Sequence, residues 1–220
     1  MLQHQAVEQH TPGYMSDSHV TTEQSAHRWL LRELIEDFSR NSNVGHIHEF
    51  LEWLDGFDRD VVLQALFWYA IEGREWTLAE HCIEEGYVLA PEEVSDCGPL
   101  HDALWLGDRA DVIEWLIQHG AEVDRRGVSN MTPLLFAIGC GYENSARILV
   151  QHGADVNAST EVDDDTTPLM AAAETGNRAF VEMLLAHGAD RERKNRWGKN
   201  AAEIAQDTKH QEIANLLCRG

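Results

Sequence analysis

The sequence predicts an all-α fold: a solenoid of short helix pairs, preceded by a further helical segment. Two observations carry that prediction. Gly98-Pro99-Leu100-His101, Met131-Thr132-Pro133-Leu134 and Thr166-Thr167-Pro168-Leu169 place prolines at intervals of 34 and 35 residues. Eight residues behind each proline stands a glycine (Gly107, Gly141, Gly176), and a His-Gly-Ala triplet follows at His119, His152 and His187. Markers that recur in one order at one period are the signature of a repeat architecture.

Each marker has a local physical reason. Proline suits the first turn of a helix, where its missing N–H has no intrahelical partner. Thr132 and Thr167 precede it and can cap that end by accepting from orphan amides. Gly107, Gly141 and Gly176 end the first helix where a left-handed residue is required. A second helix runs through Val112–Ile117 in one repeat and Phe180–Leu185 in another, with apolar residues at helical spacing. His119, His152 and His187 fall at the end of that helix, where they can satisfy C-terminal carbonyls. Their recurrence once per repeat argues for a structural role and against metal binding.

These motifs resemble the ankyrin-repeat family, whose period is about 33 residues. The resemblance implies an ankyrin-repeat solenoid from about residue 62: a divergent repeat (62–97), three clear repeats (98–130, 131–165, 166–197) and a C-terminal capping repeat (198–220). Low hydrophobicity without periodicity makes 1–25 a tail without fixed structure, and residues 26–61 read as an N-terminal helical cap. The divergent repeat keeps Gly73 and Gly86 but lacks the proline. In the last repeat Gly198-Lys199-Asn200-Ala201 continues the frame, also without proline, as a terminal unit with a polar outer face should. The family's His after Pro-Leu survives only at His101, and the finger from Asp155 to Thr166 is longer than usual.

Upstream, Trp29, Leu30, Leu34, Ile35 and Phe38 form one helical stripe. Ile47, Phe50, Leu51 and Leu54 form a second. Their expected role is to cover the apolar edge of the stack, with a partner-docking surface as the alternative.

Composition sets the function class. The 220 residues contain 17 Lys and Arg against 38 Asp and Glu, a formal charge of −21. Such a surface repels phosphate backbones and anionic lipid and steers basic partners toward itself, so neither nucleic acid nor membrane is an expected partner. Eight acids and one base, Arg74, lie between Glu72 and Asp96, whereas Arg191, Arg193, Lys194 and Arg196 make the last finger basic. Cys82, Cys97, Cys140 and Cys218 form no CxxC pair and read as free thiols. The N-terminus lacks the basic start and apolar run of a signal peptide, and no stretch is apolar enough to span a bilayer. A cytoplasmic location is expected. No metalloprotease helix, nucleophile elbow, phosphate loop or metal-ligand cluster occurs, and Asp163-Asp164-Asp165 lacks the spaced oxygens and distal Glu of a calcium loop. The chain reads as a non-enzymatic binding protein without cofactor or metal.

By resemblance, partners are expected at the turn tips and at the end of each first helix. The tips map to Val94, Ser95 and Cys97; to Val128, Ser129 and Met131; to Asp163, Asp164, Asp165 and Thr166; and to Arg196, Trp197 and Lys199. The helix positions map to Ile71 and Glu72, Trp105 and Leu106, Gly139 and Cys140, and Glu174 and Thr175. Trp105 and Trp197 are the aromatic anchors of this set. The expected partner is a protein with a basic surface, met by a monomer or within a hetero-complex. The narrowest expectation is an inhibitor or immunity-type protein covering a toxin or nuclease. An adaptor, scaffold or secreted effector recruiting a host or cellular partner is the second reading, and an enzyme with an unrecognised site in residues 26–97 the third.

Overall fold

The computed structural model describes residues 47–53, 58–89, 97–127, 130–160 and 164–218. They fall into two compact units, one ending at residue 91 and one beginning at residue 92. Every regular element among the described residues is helical. The predicted tail (1–25) and the Trp29–Phe38 stripe lie outside them.

The first unit contains α1 (Ile47–Trp53), α2 (Arg59–Gly73) and α3 (Trp76–Glu84). Asp58 caps α2 by accepting from the Asp60 amide. Leu63, Leu66, Phe67 and Trp68 are buried with Leu78 and Cys82, and Phe67 stacks on Tyr87 at 4.2 Å between ring centres. Burial, with the Glu85 charge nearby, pushes the Cys82 thiol up to about 12, so it is an inert core group. Glu85 accepts from the Arg59 guanidinium at 2.6 Å and faces His48 at 3.3 Å.

The end of α2 differs from expectation. Gly73 does not terminate it; Arg74 does, in the left-handed conformation at φ 61°, with its N–H on the carbonyls of Ala70 and Ile71. Gly141 makes the same pair of bonds to Ala137 and Ile138. The divergent repeat is therefore one residue out of the frame that its glycine suggests, and Ile71 is the counterpart of Ile138. Both are fully buried.

The second unit holds the helix pairs α4 (Pro99–Trp105) and α5 (Ala110–Gln118), α6 (Pro133–Cys140) and α7 (Glu143–Gln151), α8 (Pro168–Thr175) and α9 (Arg178–Ala186), and α10 (Ala201–Asp207) and α11 (Gln211–Cys218). First helices pack on first helices, α4 on α6, α6 on α8 and α8 on α10, while α5, α7 and α9 form a second row. Leu100, Leu104, Ile113, Leu116, Leu134 and Ile138 fill the space between the rows. Each is fully buried, which contributes on the order of 2 kcal/mol per side chain.

The caps follow the sequence closely. Thr132 accepts from the Leu135 amide and Thr167 from the Met170 amide, both at 3.3 Å. Asn200 and Glu203 form a reciprocal capping box at the start of α10. Gly141 and Gly176 close α6 and α8 at φ 78° and 70°. His119 and His187 stand at the ends of α5 and α9, each with Nδ1 at 2.8 Å from the carbonyl four residues back. In the first unit His81 makes the same contact to Thr77.

Bonds between repeats connect positions one period apart. Asp108 accepts from the amide and hydroxyl of Ser145 at 2.8 and 2.7 Å and from the amide and side chain of Asn144 at 3.2 and 2.9 Å. It thereby caps α7, whose own N-cap residue, Tyr142, offers no side-chain bond. Partial burial works against ionisation here, but the Ser145 and Asn144 bonds outweigh it and hold the carboxyl below its ordinary value. Asp124 accepts from the Asp155 amide and Asn157 from the Asp190 amide.

Candidate protein-interaction surface

The first-helix row leaves one strip of each helix unburied. On α4 the strip is Asp102, Trp105 and Leu106; on α6 it is Phe136, Gly139 and Cys140. On α8 it is Ala171, Glu174 and Thr175, and on α10 it is Ile204, Asp207 and Thr208. The period-3 spacing within each strip is the geometry of one helix face. The four helices carry Asp102, Glu174, Glu203 and Asp207 and no Lys or Arg. A face built from them presents apolar groups, two threonines and acids, of which Asp207 is paired with Lys199 at 2.6 Å.

Trp105 is half-buried because its indole meets the Phe136 ring edge-to-face at 4.9 Å. Such a pair is worth about 1 kcal/mol beyond its area and fixes both rings in place. His101, beside it, is buried at 2 % exposure. Its Nε2 lies 3.1 Å from the Met131 carbonyl, while its Nδ1 has no partner. In α6 and α8 a threonine hydroxyl sits at the helix entrance; in α4 that position is Gly98, which offers no side-chain bond. Burial pulls the His101 pKa down to about 4, against the Met131 bond. The neighbouring Asp102 is pushed by burial up to about 6.

The fingers supply the second part of the surface. Met131 is half-buried and its carbonyl also accepts from the Gly127 amide at 2.9 Å. Asp164 is exposed, and Asp165 is half-buried in the left-handed conformation. The Asp164 carbonyl accepts from the Arg196 amide at 2.9 Å, which joins the last two fingers. Trp197 is 68 % exposed. Its turn is held by Asn195, whose Oδ1 accepts from the amides of Trp197 and Lys199, both at 3.0 Å. The indole is thus displayed on a pre-formed loop.

Of the residues expected at the surface, Glu72, Cys140, Glu174, Asp164, Arg196 and Trp197 are exposed, and Trp105, Leu106, Met131 and Asp165 half-buried. Ile71 is corrected to a core residue, for the one-residue frame shift at Arg74 given above. Val94, Ser95, Val128, Ser129 and Asp163 lie outside the described residues. Asp102 and Phe136 were not anticipated; the signal for Asp102 was its position three residues before Trp105, on the same helix face. Among the described residues no group of three His, Cys, Asp or Glu could hold a metal ion, and no helix is long and apolar enough to cross a membrane.

Paired helices, left-handed caps and inter-repeat bonds at one period define a helical-repeat protein. A family model described as ankyrin repeats (3 copies) matches residues 39–160, more than half of the chain. A second, ankyrin repeats (many copies), matches residues 149–205. The chain belongs to the ankyrin-repeat family, a family of protein-interaction modules. It is 38 % identical over 92 residues to the ankyrin repeat and KH domain-containing protein mask of Drosophila melanogaster, covering 42 % of this chain and 2 % of that protein. It is 37 % identical over 121 residues to ankyrin repeat and SOCS box protein 11 of Danio rerio, covering 55 % of this chain and 39 % of that protein. The human ankyrin repeat and KH domain-containing protein 1 is 37 % identical over 90 residues, 41 % of this chain and 4 % of that protein. The matched part thus spans well under half the length of these relatives.

Proposed function

We propose that this chain is a non-enzymatic module that binds a basic protein on its first-helix face, with Trp197 as a fingertip anchor. One observation carries the reading: three of four successive first helices carry acids and none carries Lys or Arg, beside an exposed or half-exposed apolar strip. Opposite fields raise the rate of encounter and discriminate against like-charged partners. At physiological salt the field reaches only about 8 Å, so acids within the contact matter more than the total charge of −21. Nucleic acid is disfavoured as partner for the same electrostatic reason.

The narrower form of this reading is an inhibitor or immunity-type protein that covers the basic surface of a toxin or nuclease. The charge pattern motivates it; the names of the relatives do not. An adaptor or scaffold that recruits a second partner through residues 26–61 is the competing form. Affinity capture at two salt concentrations, with the isoelectric point of each retained protein determined, tests the common core. A basic partner released by raised salt is expected. Retention undiminished by salt, or an acidic partner, would sink the electrostatic argument. Trp197→Ala is expected to weaken the captured complex by about ten-fold or more while leaving the melting temperature unchanged, because the indole is 68 % exposed.

A further inference from the structure

The open strip of α4 and α6 has a chemistry that the rest of the row lacks. Asp102 lies one helical turn from Trp105 on the same face. Phe136 packs against Trp105 at 4.9 Å and against His101, the residue before Asp102, at 6.1 Å between ring centres. Ordinary surface carboxylates are solvated; this one is partly buried, and no described residue donates to it or pairs with it. An ionised carboxylate in that position lacks compensation. The two aromatic rings beside it present π-faces that attract cations. Flanking α6 has no charged residue at all, and α5 places its acids Asp111 and Glu114 at exposed positions. The strip itself carries no basic residue, and the Arg125 side chain lies against Gly98, one turn before Asp102.

We propose that Asp102, Trp105 and Phe136 form a recognition subsite for an arginine side chain of the protein partner, an inference that rests on the basic-partner reading above. A guanidinium matches the constellation better than an ammonium. It is flat, so it stacks on an indole or phenyl face while its edge donates two parallel bonds to one carboxylate. It is also less strongly hydrated, which lowers the cost of entering a half-buried site.

The test uses the full chain and two probes, short peptides of alternating arginine and glycine or of alternating lysine and glycine, titrated at low and physiological salt. Wild type is expected to bind the arginine peptide about five-fold more tightly than the lysine peptide. Asp102→Asn should weaken the arginine peptide about ten-fold. Phe136→Leu, which keeps an apolar side chain at that position, should bring the preference between peptides to about one. Glu114→Gln removes the same charge from an exposed position on α5 and should change affinity by less than about two-fold. Melting curves confirm that each variant is folded. Equal affinity for the two peptides, or Asp102→Asn no weaker than Glu114→Gln, overturns the subsite and leaves the basic-partner reading standing. Failure of wild type to bind either peptide at low salt overturns both.

Discussion

Replacing Asp108 by Ala should destabilise the stack although Asp108 belongs to no helix. Its carboxylate accepts four bonds from Asn144 and Ser145, between 2.7 and 3.2 Å. Two come from first-turn amides of α7, which have no other cap at that end. Losing a helix cap costs about 1 kcal/mol, and hydrogen bonds to a charged acceptor contribute roughly 1.5–3 kcal/mol. Because the carboxylate is exposed, solvent screening reduces the sum, and the expected loss is about 2 kcal/mol. For a chain of this size that corresponds to a fall in Tm of about 4–8 °C. Thermal and urea melts followed by circular dichroism measure it directly. Asp108→Asn, which keeps one acceptor oxygen, should recover part of the loss. The folded-state pKa of Asp108 is depressed, so its stabilisation is complete above the ordinary carboxylate pKa of about 4. It is lost as pH falls through the lower folded value. The gap between wild type and Asp108→Ala should therefore be constant from neutral pH down to about 5 and close at more acid pH. A Tm difference below about 1 °C, or a gap that widens in acid, would refute the capping argument.

Further predictions concern conformation and buried charge. Gly153 has φ 88° and open space where a Cβ would stand, so Gly153→Val tests conformation alone and should cost more than about 1 kcal/mol. An unchanged Tm would contradict the turn assignment. Lys209, at φ 66°, occupies in the last repeat the left-handed position that Gly176 holds at the end of α8, and Lys209→Gly should raise stability by about 0.5–1 kcal/mol; a lowered urea midpoint would disprove it. Asp102, raised to about 6, binds its proton more tightly in the folded state, so it lowers stability as pH rises from about 4 to 6. Asp102→Asn should gain on wild type across that window, by at most about 3 kcal/mol. His101, lowered to about 4, acts in the opposite sense: stability falls as pH drops from about 6.5 to 4. With the Asp102 contribution removed, the variant should therefore lose stability toward acid more steeply than wild type, and parallel curves would exclude the Asp102 assignment.

Local chemistry made most of the stack legible. Thr132, Thr167, Gly141 and Gly176 act within one turn of themselves, and a cap needs no knowledge of distant residues. The same locality misplaced Ile71. Glycine is the usual left-handed residue, yet here Arg74 adopts that conformation one residue beyond Gly73, and a sequence rule built on Cβ sterics selects the glycine. Trp105 illustrates the other limit. Its exposure is set by Phe136, a residue one repeat away, and helical periodicity identifies a face without identifying what leans on it. Asp102 was passed over because an acid on a helix surface is ordinary until its burial is known. The bonds from Asp108 to Asn144 and Ser145 cross 36 and 37 residues, beyond the range of any local pattern.

Those inter-repeat bonds also have a direction. Asp108, Asp124 and Asn157 each lie in an earlier repeat and accept from amides of the following one at Ser145, Asp155 and Asp190. A ribosome delivers the acceptors first. The repeats 131–165 and 166–197 each emerge onto a neighbour already carrying a group that holds their backbone, so assembly from the N-terminal side proceeds there onto a prepared edge. Damage to these three bonds is asymmetric for the same reason: a stack shortened from its C-terminal end leaves behind acceptors that water can reach, whereas one shortened from the front deprives α7 of its cap.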